Sequence, residues 1–125
     1  MRCQQIVIIE DEPDLRETLR DLLEISGFQV LTAENGKEGL RVAEELDAPC
    51  LILLDLMMPV MNGWEFLEAI RNNRHATLTS VPVVVISAAA DTSDLQQRYG
   101  CLVLQKPFAL DSLVAIASKY CAIAD

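Results

Sequence analysis

The sequence predicts an α/β domain in which helices cover both faces of a parallel β-sheet, a doubly wound arrangement. Five short apolar runs recur along the chain, and most are continuous rather than alternating, as expected for strands buried on both faces. Helical patterns separate the runs, so β–α is repeated five times, and right-handed crossovers place helices on both sides of the sheet. The 125 residues fit one domain, residues 1–125.

The first half of the chain holds three apolar runs and two helical patterns. The runs, each predicted to be a strand, are Ile6–Ile9, Phe28–Ala33 and Cys50–Leu54. Between the first two, leucines recur at i, i+4, i+7 and i+8, Pro13 suits the first turn of a helix and Gly27 ends it. Between the second and third, an apolar stripe of helical period consists of Gly39, Leu40, Ala43 and Leu46.

The second half continues the alternation with two more apolar runs, Val81–Ile86 and Cys101–Leu104. The helix that precedes the first of them has the stripe Trp64, Leu67 and Ile70. The helix between the two runs, Thr92–Tyr99, is short. The last helix has the stripe Leu110, Leu113, Val114, Ala117 and Tyr120 or Cys121.

The charge of the chain excludes some partners. The formal net charge is −9, which argues against direct binding of nucleic acid, since that depends on Lys and Arg at the phosphates. It argues equally against an anionic membrane surface. The acidity is concentrated in residues 1–62, which have 13 acidic and 5 basic side chains, against 6 and 5 in residues 63–125. The first half therefore contains a feature that uses carboxylates.

Cysteine spacing and hydropathy indicate the compartment. The four cysteines form no CxxC motif, which makes a metal or redox site unexpected. Cys50 and Cys101 lie inside apolar runs, where a thiol acts as a small hydrophobe. No signal peptide is recognisable, and no apolar stretch approaches the roughly 18 residues that span a membrane. We therefore expect reduced cysteines, a soluble cytoplasmic protein and no membrane partner.

Polar residues follow four of the predicted strands at the edge where an open parallel sheet binds its ligands. These residues are Glu10, Asp11, Glu12, Asp55, Ser87 and Lys106. Clustered carboxylates repel each other and need a cation or protons, and Mg²⁺ prefers such oxygen ligands. Asp55 is then a candidate nucleophile towards a phosphoryl group, with Lys106 supplying positive charge and Ser87 a hydroxyl.

Simpler interpretations exist for each residue alone. The acids after the first run could interact favourably with the N-terminus of the first helix. Each such interaction contributes about 0.3–1 kcal/mol. Asp55 could cap a turn. The joint pattern favours phosphoryl chemistry, because four separate strand ends carry complementary groups.

At these residues the chain resembles the receiver domain of two-component response regulators. The resemblance runs from Ile6 to Tyr120 and is carried by IIEDEPDLR at 8–16, LLDLMMPVMNG at 53–63, VVVISA at 83–88 and QKPF at 105–108. It implies a flavodoxin-like, doubly wound sheet of five parallel strands in the order 2-1-3-4-5, with five helices on both faces.

The resemblance also implies roles for single residues. Asp55 corresponds to the phosphoacceptor and Asp11 to a direct Mg²⁺ ligand, while Glu10 supports the metal through water. Asp55 and the backbone carbonyl of Met57 complete the protein ligands of the metal. Ser87 occupies the switch hydroxyl position.

Lys106 corresponds to the residue that pairs with the phosphoryl group, and the bond from Lys106 to Pro107 is expected to be cis. Three further positions bear on the comparison. Val103 replaces the aromatic residue common three positions before the lysine, and Val60 stands where glycine is frequent. Asn62–Gly63 fits the loop turn after the phosphorylated strand.

The leading functional prediction is a phosphorylation switch. A sensor histidine kinase or histidine phosphotransfer protein donates a phosphoryl group to Asp55 in a Mg²⁺-dependent step. The domain catalyses its own phosphorylation and dephosphorylation, has no separate enzymatic output, and changes its binding to a downstream protein. Both a stand-alone regulator and the receiver of a longer chain, such as a hybrid kinase, fit the sequence.

Two other functions are compatible with parts of the sequence. A phosphate-independent interaction module with a receiver-like fold is the main alternative, although such a domain would usually lack one of the acidic or lysine positions. A flavin-binding protein of flavodoxin type needs a Ser/Thr/Gly-rich phosphate cradle after the first strand. Residues 10–13 are Glu-Asp-Glu-Pro, which would repel a phosphate.

Overall fold

The five strands form one parallel sheet. A computed structural model describes residues 5–46, 49–56, 58, 60–72, 81–88 and 93–121. Within these ranges the elements are β1 (Gln5–Ile9), α1 (Pro13–Ile25), β2 (Gln29–Ala33), α2 (Gly36–Leu46), β3 (Leu51–Asp55), α3 (Gly63–Arg71), β4 (Val83–Ser87), α4 (Ser93–Tyr99), β5 (Leu102–Gln105) and α5 (Leu110–Tyr120). The strand order is β2-β1-β3-β4-β5, as predicted.

Two apolar clusters lie on opposite faces of the sheet, because successive residues of a strand point to opposite sides. One cluster is covered by α2, α3 and α4, which contribute Ala43, Phe66 and Leu95 among others. The other is covered by α1 and α5, which contribute Leu19 and Leu113 among others. Helices therefore lie on both faces, as predicted, and the central strand β3 is buried along its whole length.

The edge strands differ from the prediction. Continuous apolar runs predict burial on both faces, and β1, β3 and β4 follow this expectation. In β2 the exposure alternates, and Leu31 is 38% exposed. In β5 both terminal residues are exposed, Leu102 at 42%. The prediction is wrong for these two strands because the packed helices lie over the middle of the sheet and leave its margins open.

Both ends of α1 confirm the sequence signals. Pro13 is its first residue, where the missing N–H costs no hydrogen bond. Gly27 follows the helix with φ = 103°, a left-handed conformation that a residue with a Cβ rarely adopts. The chain then turns directly into β2.

The start of α3 differs from its prediction, because Asn62 is a helix cap and not the corner of a turn. Its side chain accepts a hydrogen bond from the backbone N–H of Glu65 at 2.9 Å, and the Glu65 carboxylate accepts one from the backbone N–H of Asn62 at 3.0 Å. Gly63 is required beside it, since a Cβ there would lie 2.7 Å from Cα of Leu56. This reciprocal capping box begins α3 against the residue that follows Asp55.

A disulfide bond joins Cys50 to Cys121, whose Cα atoms are 5.5 Å apart. Cys50 lies directly before β3 and Cys121 directly after α5, so the bond connects the amino end of a central strand to the carboxyl end of the last helix. The expectation of reduced thiols is wrong for this pair, because the two cysteines are 71 positions apart in the sequence and only the packing of α5 brings them together. Cys101 is buried and is not disulfide-bonded.

None of the helices in the described ranges combines the length and the apolar character that crossing a membrane requires.

Candidate functional site

Three carboxylates meet at the carboxyl edge of the sheet. Asp55 is the last residue of β3, and Glu10 and Asp11 directly follow β1, its neighbour in the sheet. One carboxylate oxygen from each of the three residues lies within 4.8 Å of one oxygen from each of the other two. Glu10 and Asp55 are buried, at 2% and 6% exposure, while Asp11 is open to solvent. The structure thus brings together the three acids that the sequence predicted to be neighbours.

Glu10 is held in place mainly by backbone contacts. Its N–H donates to the carbonyl of Ala33 at 3.0 Å, which continues the pairing of β1 with β2. Its Oε2 accepts a hydrogen bond from the backbone N–H of Glu12 at 3.2 Å. Its other oxygen, Oε1, is buried and has no hydrogen-bond partner. One carboxylate oxygen is therefore fixed while the other remains available to a ligand.

The acidic cluster changes the ionisation of Glu10. Burial raises the pKa of the Glu10 carboxyl from 4.5 to about 8, and the hydrogen bond and negative charge of Asp55 act in the same direction. The N–H of Glu12 partly opposes this shift, since it stabilises the charged form. Near neutral pH the site can therefore lower its repulsion by binding either a proton or a cation.

Lys106 supplies the positive charge of the site. It follows β5, and its Nζ lies 3.9 Å from Oε1 of Glu10, a distance of ion pairing without a hydrogen bond. Its backbone N–H donates to the carbonyl of Ser87 at 2.8 Å, which ties the ends of β4 and β5 together. The peptide bond from Lys106 to Pro107 is cis, as the resemblance implied.

Ser87 completes the constellation at the end of β4. It is 1% exposed, and in the register of the sheet it lies beside Gln105, while Asp55 lies beside Ile86. The strands thus end at the same level. The side chains of the site therefore lie at the carboxyl edge of the sheet, and they belong to Glu10, Asp55, Ser87 and Lys106. Of the predicted site, Met57 lies outside the described residues.

The donor set fits a Mg²⁺ ion. Three carboxylates within reach of one point offer the oxygen ligands that this ion prefers. The buried Oε1 of Glu10 accepts no hydrogen bond, so its 3.9 Å contact with Lys106 Nζ compensates its desolvation only in part. A divalent cation in the cluster, or water bound to it, would satisfy that oxygen and offset the repulsion.

Sequence reasoning missed Arg16. Its guanidinium Nη1 donates to the backbone carbonyl of Glu10 at 2.8 Å, which fixes the segment that follows β1 against α1. Arg16 lies within the motif IIEDEPDLR at 8–16, but its contact is with a backbone atom, so no pairing of side chains in the sequence signals it.

The carboxylate edge does not coincide with the cavity at the other edge of the sheet. A cavity of about 420 Å³ lies at the opposite edge, between the ends of α3 and α4 and the start of β4, and it is lined by Ile70, Arg71, Val83 and Tyr99 among others. None of the carboxylates contributes to it. This cavity is therefore not part of the carboxylate site.

The fold and the site define the class of protein. The family model for the response regulator receiver domain matches residues 6–118. The chain therefore belongs to the family of response regulator receiver domains.

Three known proteins illustrate the relationship. Response regulator Rre1 from Synechocystis is 38% identical over 115 residues, which cover 89% of this chain and 48% of that protein. Response regulator TrrA from Thermotoga maritima, solved in complex with Mg²⁺ and BeF, has a TM-score of 0.78 at 29% identity and covers 94% of this chain and 98% of its own. The chain spans about half the length of the curated relatives it matches.

The receiver domain of sensor histidine kinase PA1611 from Pseudomonas aeruginosa, solved with a magnesium ion coordinated in the active site cleft, has a TM-score of 0.81 at 26% identity. The match covers 95% of this chain and 98% of that one. Receiver domains of this fold therefore occur both in response regulators and attached to sensor kinases.

Proposed function

We propose that the protein is a phosphorylation-dependent signalling switch in which Asp55 accepts a phosphoryl group from a sensor histidine kinase or a histidine phosphotransfer protein. The reaction depends on Mg²⁺, and phosphorylation changes the binding of a downstream protein in the cytoplasm. The observation that carries this proposal is that carboxylate oxygens of Glu10, Asp11 and Asp55 lie within 4.8 Å of one another at the edge where Lys106 follows β5.

The acids and the lysine have complementary tasks in this reaction. Asp11 and Asp55 would hold Mg²⁺ directly and Glu10 would support it through water, and the resemblance implies that the backbone carbonyl of Met57 would be the remaining protein ligand. The ion, when bound, neutralises negative charge on the phosphoryl oxygens. The unpartnered Oε1 of Glu10 supports this assignment, since it is a buried oxygen that lacks a hydrogen-bond donor.

Asp55 acts as the nucleophile. One of its carboxylate oxygens forms a bond to phosphorus, while the bond between phosphorus and the histidine nitrogen of the donor breaks. Its burial at the end of β3 holds the carboxylate in one orientation, so little reorganisation precedes attack. The family relationship supports the assignment, since a phosphoacceptor aspartate is implied at this motif.

Lys106 and Ser87 respond to the new group. The Lys106 ammonium, already 3.9 Å from Glu10, pairs with a phosphoryl oxygen, and the Ser87 hydroxyl donates to another. Phosphorylation adds a charge of about −1.5 to −2, taking phosphoserine as the guide. Because the backbones of Lys106 and Ser87 are hydrogen-bonded to each other, a shift at one is transmitted to the ends of β4 and β5.

The proposal is tested by incubating the protein with acetyl phosphate and Mg²⁺ and measuring phosphoryl incorporation by intact-protein mass spectrometry. We expect incorporation in the parent protein, none in Asp55→Asn, and none when the metal is chelated. Glu34→Gln is the matched control, because Glu34 is an exposed acid that follows β2 at the same edge of the sheet. It should be phosphorylated like the parent.

The outcome also separates the two functional classes. Retained labelling of Asp55→Asn contradicts the assigned acceptor. Failure of the parent to take up either a phosphoryl group or beryllofluoride in the presence of Mg²⁺ favours a phosphate-independent interaction module. Fluorescence of Trp64, the single tryptophan of the chain, reports beryllofluoride binding because Trp64 is half-buried in the first turn of α3.

A further inference from the structure

We propose that the Cys50–Cys121 disulfide is a reversible redox modification site, reduced by a dithiol and re-formed by a low-molecular-weight disulfide, which controls how firmly the end of α5 is held. The proposal rests on the cytoplasmic location proposed above. In that compartment a disulfide is rare and, when present, is commonly transient or redox-sensing rather than structural.

The disulfide connects β3, which ends at Asp55, to α5, which follows Lys106. β3 begins one residue after Cys50 and ends at Asp55, whereas α5 begins four residues after Lys106 and ends one residue before Cys121. The bond therefore links the strand of the acceptor covalently to the helix that follows the lysine. It lies at the edge of the sheet opposite the carboxylates.

Each cysteine is anchored through its backbone before any bond forms. The N–H of Cys50 donates to the carbonyl of Gln5 in β1 at 2.9 Å, and the N–H of Cys121 donates to the carbonyl of Ala117 in α5 at 2.8 Å. Packing against the second apolar cluster holds both residues near each other. The two thiols of the reduced protein therefore stay close, so the bond can re-form without refolding.

The two cysteines differ in exposure. Cys121 is 6% exposed, while Cys50 is half-buried. A thiolate of the reductant attacks Sγ of Cys50, forming a mixed disulfide as the bond to Cys121 breaks, and the Cys121 thiolate takes a proton. The second thiol of the reductant then attacks the mixed disulfide and releases Cys50, so the reductant leaves as a disulfide and two electrons have reached the protein.

Reduction loosens the last turn of α5. In the oxidised form the helix is fixed at its carboxyl end by a covalent bond to the sheet. In the reduced form it is held there only by Ala117, Cys121 and their apolar neighbours. Local opening of a helix end is the least costly type of unfolding, so the amides of this turn should respond first.

The test compares the full chain after equilibration with oxidised glutathione and after treatment with dithiothreitol. Peptide mass spectrometry should find Cys50 and Cys121 cross-linked in the first sample and separately alkylated in the second. Hydrogen exchange of the last turn of α5 should accelerate on reduction, on the order of tenfold, while exchange of the first turn of α1, which also opens locally, stays unchanged. Return to oxidised glutathione should restore both the cross-link and the protection.

Two variants control for non-specific effects. Cys121→Ala should show no response of α5 to dithiothreitol, whereas Cys101→Ala, which removes a buried cysteine outside the disulfide, should respond like the parent. The proposal is overturned if the oxidised sample lacks the cross-linked peptide, if folded protein is not reduced, or if α5 exchanges equally in both forms. Beryllofluoride binding tests the phosphorylation proposal separately, since it involves only the carboxylate edge.

Discussion

At the scale of single residues, the site depends on acids forced into one place. Glu10 and Asp55 are buried side by side because β1 and β3 are neighbours and end level with each other. Such an arrangement lowers stability unless a proton or a cation joins it. The acids of the site therefore lower the stability of the folded protein, and this loss should be measurable.

We predict that the stability of the metal-free protein depends on Glu10 between pH 5 and 8. The pKa of Glu10 is raised to about 8 in the folded state from 4.5, so the folded state binds the proton more tightly than the unfolded state. The resulting stabilisation is present at low pH and is lost as pH rises through 8. Urea unfolding at several pH values should show this loss in the parent and a flatter profile in Glu10→Gln.

The adjacent Glu12→Gln variant is the control for this titration, because only the backbone N–H of Glu12 contacts Glu10. It should keep the pH profile of the parent. Equal slopes in the parent and in Glu10→Gln would show that Glu10 is not the titrating group.

Val60 is a second residue whose conformation works against stability. Its φ is 69°, it is 74% exposed, and a β-branched side chain is strained in this left-handed region. We predict that Val60→Gly raises the free energy of unfolding by about 1 kcal/mol, since relief of about 1–2 kcal/mol exceeds the added entropy of the unfolded chain. Urea unfolding measures the change. Val60→Ala keeps the Cβ and should gain less, and a less stable Val60→Gly would contradict the strain.

At the scale of elements, the boundaries of the helices position the site. α3 begins at Gly63, and Gly63 N–H donates to the carbonyl of Leu56 at 2.9 Å, so the helix is attached to the residue after Asp55. The capping box of Asn62 and Glu65 is what starts the helix there. The loop between Asp55 and α3 therefore ends at this capping box.

We predict that Asn62→Ala lowers the free energy of unfolding by about 1 kcal/mol, because an N–H of the first turn loses its acceptor. Urea unfolding measures the loss, and hydrogen exchange should locate it in the first turn of α3. Asn72→Ala is the matched control at the other end of the same helix, where the side chain has only a long 3.4 Å contact with Glu68. Equal losses in the two variants would argue against the cap.

At the scale of the whole molecule, one disulfide bond among the described residues links the sheet to α5 within a single apolar cluster. The Cys50–Cys121 bond closes a loop of 71 residues. A cross-link of that span reduces the entropy of the unfolded chain far more than a local one.

We predict that reduction lowers the free energy of unfolding by about 4 kcal/mol, by the chain-entropy relation for a loop of this length. Urea unfolding of the parent with and without reductant measures the difference. Cys101→Ala should show the same response to reductant, and Cys121→Ala should show none. A parent protein that is equally stable in both conditions contradicts the prediction.

Much of the fold was predictable because its signals are local. Apolar runs of strand length, leucines at helical spacing, and Pro13 and Gly27 at the ends of α1 each reflect a preference that a short segment has by itself. The edge positions of β2 and β5 were not predictable in this way, because their exposure depends on where the helices lie over the sheet.

The sequence by itself determined the order of the elements and the residues at the strand ends, since both follow from chain periodicity and the shared direction of parallel strands. Tertiary structure alone decided how these residues meet. The burial that raises the pKa of Glu10 depends on residues distant in sequence. The hydrogen bond from Arg16 to the Glu10 carbonyl involves a backbone atom, which the pattern of side chains does not reveal. The pairing of Cys50 with Cys121 arises for the same reason, because α5 must pack on the sheet before residues 71 positions apart become neighbours.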